Sequence, residues 1–444
     1  MTWDVIVVGA GPSGLAGIRR LKEAGLSVIA FEKRHDVGGV WLYEDNPEGH
    51  SSAYQTLTMI TSKACSHFED FPFPKEWPDY VPHYLAQRYL RNYAEHFGLI
   101  DHIRFHTAVE SATPTDSGWV VHTSTGETFY SRYLVAATGH HWKPYLPTYP
   151  GHFTGESYHS HAYKRPMQLA NKRVLIVGIG NSGADIAVDA VRVAQSVDLS
   201  TRRGYHVLPK FVFFGIPADE MYRKVIAPLP KPLRRIVSNL TLKIILGPVE
   251  KYGMPKPDHP LFYTHPLMNS ELLYHLRHGK IRMRPGIQRL EEKKVYFTDG
   301  SVGEYDTIVW ATGYEVEYPY LPSHLVPSRK RGDRIYLHIF HLDEPHLFYL
   351  GLIQPNGCIW NLAEKQAALV ARYIMGAYKL PPDVEQQTEA YWRQHAEKFA
   401  ESLRHIWEVE WYEYAEILDK LIARHPLPKK PVKSPAEAPT PAYA

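Results

Sequence analysis

The stretch "WDVIVVGAGPSGLAGIRRLKEAGLSVIAFEKR", residues 3–34, decides the fold. Val5 to Val8 is a short unbroken apolar run, the pattern of a strand buried on both faces. Gly9, Gly11 and Gly14 follow in G-x-G-x-x-G spacing, and Leu15, Ile18 and Leu21 then recur at helical spacing. A second apolar run ends at Glu32, eighteen residues past Gly14. The first glycine permits a tight turn, the second lets backbone approach a pyrophosphate, and the third lets helix and strand pack closely. The helix N-terminus faces phosphate charge, and Glu32 can accept hydrogen bonds from a ribose diol. A glycine-rich turn alone is a weak signal. Strand, helix, second strand and acid in this order predict a dinucleotide site.

The pattern returns in "NKRVLIVGIGNSGADIAVDAVRVAQSVDLSTRRG", residues 171–204, with Gly178, Gly180 and Gly183 in the same spacing. Its second strand ends differently. Eighteen residues past Gly183 stands Thr201, followed by Arg202 and Arg203, with no carboxylate. An acid would repel a 2′-phosphate, whereas a guanidinium grips one through charge-assisted hydrogen bonds. The first loop therefore suits a dinucleotide with free ribose hydroxyls and the second suits NADPH, the bland alternative being a solvated basic turn.

The echo extends further. "YLVAATGHH" (residues 133–141) and "YDTIVWATGY" (305–314) are apolar strands that end in A-T-G, each over a hundred residues after its glycine loop. The simplest architecture inserts one dinucleotide-binding unit into another. The chain leaves the first unit near residue 160, builds the second to about 310 and returns. On this reading the histidine-bearing stretch "GHFTGESYHSHAYKRP" (151–166) is a crossing between units, beside the place where two cofactors meet.

A chain of 444 residues can bury sizeable cores. Its net charge of +3 comes from Lys and Arg spread along the sequence, so nucleic-acid binding is not indicated. Two cysteines, Cys65 and Cys358, make no C-x-x-C pair, which excludes a thioredoxin-reductase-like disulfide and fits a reducing, cytoplasmic setting. A first strand starting near the fourth residue makes a secretory leader unexpected. No apolar stretch reaches the ~18 residues of a spanning helix.

These motifs together resemble the flavin-containing monooxygenases, class B flavoprotein monooxygenases. The family identifier F-x-G-x-x-x-H-x-x-x-[YFW] stands as Phe153, Gly155, His159 and Tyr163, and "ATGHHWKPYLPTYPG", "GNSGADIA", "DFPFPKEWPDYVP" and "ATGYEVEYPYL" resemble family segments over residues 4–375. Tyr163-Lys164 at the motif's end favours the heteroatom-oxidising branch over the Baeyer–Villiger branch, where Trp followed by Pro or Asp is usual.

The resemblance implies an α/β protein with two nested Rossmann-like domains. An FAD domain (1–160 and 311–425) would hold an inserted NADPH domain (161–310) carrying a 204–266 lid segment, and 426–444 would be a disordered tail. It implies NADPH- and FAD-dependent oxygenation of soft amine nitrogen or sulfur in small molecules by a flavin hydroperoxide. Baeyer–Villiger oxygenation or an uncoupled NADPH oxidase are the alternatives. No protein nucleophile is required and no metal is expected, since the flavin carries the chemistry, and the catalytic residues are left unassigned.

By position the resemblance assigns to cofactor binding Gly9, Gly11, Pro12, Ser13, Gly14, Glu32, Lys33, Gly39, Val40 and Trp41, the last three from "DVGGVW". It adds Ser62, Val109, Thr138, Gly139 and Gln354. In the inserted unit it assigns Gly178, Gly180, Asn181, Ser182, Gly183, Thr201, Arg202, Ala311, Thr312 and Gly313. His159 is read as mechanical, bonding a neighbouring strand or loop with Phe153 beneath it, and Asn361 as a helix N-cap. One position departs. In "YQTLTMITSK" the family's Asn, which supports NADP⁺ through its amide, is Ile60, which puts oxygenation efficiency in question. Thr58, Thr61 and Ser62 are the hydroxyls that could compensate.

Within the proline-rich 204–266 stretch, Leu233, Ile236, Val237, Leu240 and Ile244 follow helical spacing. A lid helix packed on its own protein is expected, with a membrane-surface helix as the alternative. A homodimer is expected.

Overall fold

A computed structural model describes residues 2–328, 332–400 and 405–427. The expected disordered tail therefore lies almost wholly outside the described residues.

The strand Thr2–Val8 runs at the centre of the first sheet, parallel to Val28–Phe31 on one side and to Thr128–Ala136 on the other. The sheet continues through Ile103–Arg104 at one edge and through Leu347–Tyr349, Phe340–His341 and Ile335–Tyr336 at the other. Val109–Thr115 and Gly118–Thr123 form an antiparallel meander that leads into Thr128–Ala136. Helices Pro12–Glu23 and Ile359–Ile374 pack together on one face. Leu15, Ile18 and Leu21 are fully buried there, as their spacing requires.

A second sheet is parallel throughout: Ile281–Arg284, Ser196–Ser200, Arg173–Val177, Thr307–Trp310 and Glu156–His159. A smaller sheet joins Gly151–Phe153 to Ile287–Glu292, Lys294–Phe297 and Val302–Glu304. The two large sheets share a local plan. In each, the strand before the glycine loop lies between the following strand and the strand that leads into A-T-G.

The expected crossing point moves. Gly151–Phe153 and Glu156–His159 pair within the second set of sheets, so the chain crosses before residue 151 and not near 160. The outgoing and returning segments meet there, Lys143–Pro144 pairing antiparallel with Tyr314–Glu315.

Residues 204–266 hold several short helices and one longer one, Lys231–Ile245. Its inner face lines a cavity, but Leu233, Ile236, Leu240 and Ile244 stand outward, 46–64 % exposed. The expected packing of that stripe on the protein is thus corrected. Helical spacing says that apolar residues share a face, and not which way the face points.

Candidate functional site

Each A-T-G closes on its own glycine loop. A side chain on Gly9 would meet the Ala137 carbonyl oxygen at 2.8 Å, and one on Gly178 would meet that of Ala311 at 2.4 Å. Both glycines hold positive φ, 102° and 107°. A Cβ on Gly14 or Gly183 would lie 1.9 Å from the carbonyl oxygen of the loop's first glycine. Only a bare Cα lets helix and strand approach this closely. At Gly139 and Gly313, by contrast, an added Cβ meets nothing within 4 Å. These two positions open to free space.

Around the first loop the chain brings the expected residues together. Gly38 N donates to Ala10 O at 3.1 Å, and Gly39 lies beside Gly11, with Val40 and Trp41 following in the same turn. Buried Glu32 accepts from Ala10 N at 2.8 Å and from Arg34 N at 3.0 Å, one bond per carboxylate oxygen. Each oxygen keeps a lone pair for a ribose hydroxyl. Thr107 N donates to Glu32 O at 3.0 Å, so Val109 follows two residues on. Ser13 packs against Gly351, and exposed Lys33 stands over the Trp142 ring. Half-buried Gln354 pairs through its backbone with the strand Glu408–Val409. The helix behind it is capped by Cys358, whose Sγ accepts from Trp360 N. Asn361, expected as the cap, sits in the first turn, donating to Cys65 O at 3.2 Å and accepting from Trp411 Nε1 at 3.2 Å.

At the second loop, Asn181 Oδ1 accepts from Met268 N at 2.8 Å, tying the 204–266 end to the helix start beside Ser182. The only acid of the strand Ser196–Ser200, Asp198, is buried and taken by Arg282, Arg284 and Tyr305. Arg202 is exposed and makes no ion pair among the described residues, while Thr201 is buried. A free guanidinium at the strand end, without a nearby acid to spend it, suits a 2′-phosphate.

The crossing clamps both units. His159 Nδ1 accepts from His161 N at 3.0 Å, which leaves Nε2 to donate to Gly313 O at 2.9 Å. His161 Nε2 lies 2.9 Å from Gly49 O, and buried Lys164 Nζ donates to Ser51 O. Tyr163 donates to Asp189 Oδ2 at 3.0 Å, and Tyr54, from the first unit, donates to Asp185 Oδ2 at 2.7 Å. Burial pushes His159 down to about 4 and Lys164 down to about 8. The ring packed edge-on against His159 is that of Tyr314, at 5.0 Å, and not Phe153 as expected. Phe153 covers Gly155, where a Cβ would sit 2.6 Å from its ring, and reaches the core with Leu175 and Val177.

A cavity of about 320 Å³ lies between the first unit and the 204–266 segment. Ile60, Thr61, Cys65, Cys358 and Asn361 line it from one side, and Asp219, Tyr222, Phe262 and Leu242 from the other. Trp411 and Tyr412 close it from the last described helix. Asp219 Oδ2 accepts from Ser62 N at 2.7 Å and so ties the lid to the Ile60 segment. The lid walls and the 411–412 pair carry no spacing signal, because they come from segments distant in sequence.

A Flavin-binding monooxygenase-like family model matches residues 3–436. Human flavin-containing monooxygenase 5 is 32% identical over 95% of this chain and 83% of its own length. In fold the chain is similar to an S-allyl-L-cysteine S-oxygenase from Allium sativum (TM-score 0.71, 21% identity, 95% of this chain and 89% of that one). It is similar also to a cyclohexanone monooxygenase with ε-caprolactone bound (TM-score 0.70, 20% identity, 95% and 98%). The nested sheets, paired glycine loops and matched sequence define a flavoprotein monooxygenase. This chain belongs to the flavin-binding monooxygenase-like family and is an oxidoreductase that uses FAD and NADPH with dioxygen.

Proposed function

We propose that this enzyme oxygenates soft nitrogen or sulfur centres of small apolar amines and sulfides in the 320 Å³ cavity. The observation that carries the reading is the position of that cavity, walled on one side by Ile60 to Cys65 and Cys358 to Asn361. These segments adjoin the residues assigned to the flavin. A soft nucleophile needs apolar walls and exclusion of water from the protein, and no protein nucleophile.

FAD would be held by Gly9, Gly11, Gly14, Glu32 and the Gly39–Trp41 turn, and NADPH by Gly178, Gly180, Gly183 and Arg202. The bound flavin supplies the activation of dioxygen. The protein's share is orientation and shielding. The open faces at Gly139 and Gly313 admit the cofactors, Arg202 reads the phosphate, and the 204–266 segment roofs the cavity. His159 and Lys164 hold the inserted unit (about 151–310) in register with the rest. Support for heteroatom oxidation over ketone oxidation comes from the identity of the identifier's end, Tyr163-Lys164, where Trp followed by Pro or Asp is usual in the Baeyer–Villiger branch. A homodimer and a cytoplasmic location belong to the same reading, the first read out by light scattering.

The test is substrate-dependent NADPH oxidation with a thioether, a tertiary amine and a cyclic ketone. Sulfoxide and N-oxide without lactone support the reading. Lactone as the main product moves the enzyme to the Baeyer–Villiger class.

A further inference from the structure

Two ionisable side chains outside both glycine loops meet at the cavity wall. His265, near the end of the 204–266 segment, lines the cavity. Its Nδ1 lies 3.5 Å from Oε1 of Glu408, and the two side chains are 10 % and 3 % exposed. Neither atom has another polar partner among the described residues. Nε2 is not sealed in this way. It takes no hydrogen bond among the described residues and keeps access to open space, and the open space beside His265 is the cavity.

Both partners are held from behind. Just past His265, Leu267 N donates to His206 O at 3.0 Å and Met268 N donates to Asn181 Oδ1 at 2.8 Å. Glu408 stands in register with Gln354 across a parallel strand pair, and its backbone O accepts from His395 Nε2 at 3.0 Å. The pair therefore joins the segment anchored on the second glycine loop to the strand beside a residue assigned to the flavin.

A buried carboxylate at one ring nitrogen and a cavity at the other is an arrangement that can move a proton. When Nε2 accepts one, both nitrogens become donors, and the new charge has Glu408 Oε1 as its counter-ion. The separation is long for a hydrogen bond, as catalytic contacts often are before substrate binds. Other ionisable groups on the wall are engaged differently. His67 donates Nδ1–H to the neutral Phe68 O at 2.7 Å, and Glu364 is paired with Arg19 and Arg20. Asp219 accepts from Ser62 N and Glu220 N, and a carboxylate takes a proton less readily than an imidazole does.

We propose that His265, backed by Glu408, is the base that takes the N–H proton from a protonated amine in the cavity, and so lets this enzyme oxygenate strongly basic amines. The inference rests on the N- and S-oxygenation proposed above. An alkylamine, like a lysine side chain, is an ammonium at neutral pH and has no lone pair to offer an electrophilic oxygen. The ammonium N–H bond breaks, its electron pair stays on the substrate nitrogen, and an N–H bond forms at Nε2. Ammonium, NADPH and dioxygen together give N-oxide, NADP⁺ and water, so the proton held by His265 is the one that water formation consumes. A thioether sulfur carries no proton and needs no such base.

The test compares three substrates at neutral pH with the FAD-loaded enzyme: a trialkylamine, a dialkylaniline, whose lone pair is free at that pH, and a thioether. His265→Gln should lower kcat/KM for N-oxide formation from the trialkylamine by about a hundredfold. Sulfoxide from the thioether and N-oxide from the dialkylaniline should form as in wild type, with flavin content per chain unchanged. Glu408→Gln keeps the shape and removes the counter-ion, and it should cost about tenfold on the trialkylamine alone. An equal loss on all three substrates overturns the proposal, because it would make the pair structural. So does a trialkylamine rate that both variants retain, or a wild type that oxygenates the thioether but not the trialkylamine. A wild type that oxygenates none of the three fails the proposed function itself, and this inference with it.

Discussion

His159 Nε2 lies 2.9 Å from the carbonyl oxygen of Gly313. The same oxygen accepts from Tyr145 N at 3.0 Å, so the outgoing crossing, the family histidine and the returning A-T-G loop converge on one acceptor. Because Nδ1 accepts from His161 N, the ring is neutral with its proton on Nε2, and burial keeps it so. The histidine serves as a mechanical pin.

Replacing it separates structure from chemistry. His159→Ala leaves Gly313 O with one partner, so the loss is about 1–2 kcal/mol of stability. The substitution should also raise KM for NADPH more than it lowers kcat, because it loosens the loop that ends the second sheet. His159→Gln, which can still donate an amide N–H, should recover part of both. Thermal unfolding and steady-state kinetics on the two variants read this directly.

The buried histidines set a pH limit. Burial holds His140 and His159 at about 4 and His338 at about 3, against an ordinary value near 6.5. As pH falls below 6.5 the unfolded chain takes up protons first and the folded chain does not, so stability falls between pH 6.5 and about 4. Each fully buried histidine contributes on the order of 1–3 kcal/mol to that fall. Melting temperatures should decline across this window, and less in His159→Gln than in wild type.

The two loops can be broken one at a time. Gly183→Ala puts a Cβ 1.9 Å from Gly178 O and should give a yellow protein whose flavin NADPH no longer reduces at the wild-type rate, with a loss of tenfold or more. Gly14→Ala makes the same clash with Gly9 O and should cost FAD itself. Absorbance at the flavin band and anaerobic reduction distinguish them.

Arg202 is the free guanidinium at the second strand end. A lost charge-assisted phosphate contact costs ~1.5–3 kcal/mol, roughly ten- to over a hundredfold in affinity. Arg202→Ala should lower the NADPH/NADH preference by that factor. An unchanged ratio would show that another group reads the phosphate.

Much of this was legible in the sequence because backbone chemistry carries it. The glycine spacings mark positions, at Gly9, Gly14, Gly178 and Gly183, where only a bare Cα fits, and the carbonyl of each A-T-G alanine closes on the first glycine of its own loop. The crossing was placed too late because Gly151–Phe153 and Glu156–His159 are strands of three and four residues, too short to show a period. The Asn361 cap was a reasonable expectation that Cys358 fills instead, since preference at a cap is only statistical. The 204–266 stretch was read as covering a pocket, and it does. Its outward apolar stripe, and the closing of the cavity by Trp411 and Tyr412, depend on tertiary placement that spacing alone does not encode.

Ile60 is the position where coupling should be weak. It sits on the cavity wall where an amide would offer a hydrogen bond, and one missing bond of ~1 kcal/mol means several-fold more leakage. Of the hydroxyls near it, only Thr61 lines the wall; its oxygen accepts from Ser66 Oγ at 2.7 Å, which leaves its own O–H to donate, so Thr61 is the compensating group. Ile60→Asn should lower the peroxide released per NADPH oxidised with a good sulfide. A wild type already tightly coupled would point to Thr61, and Thr61→Val should then uncouple it.

The most direct measurement follows the oxygen atom. The FAD-loaded enzyme is turned over with NADPH and a thioether under isotopically labelled dioxygen, and the product is weighed by mass spectrometry. The expected result is a sulfoxide carrying one labelled oxygen, formed in proportion to the NADPH consumed less the peroxide released. NADPH consumed entirely into peroxide, with no labelled sulfoxide or N-oxide from any soft nucleophile tried, would contradict the assignment.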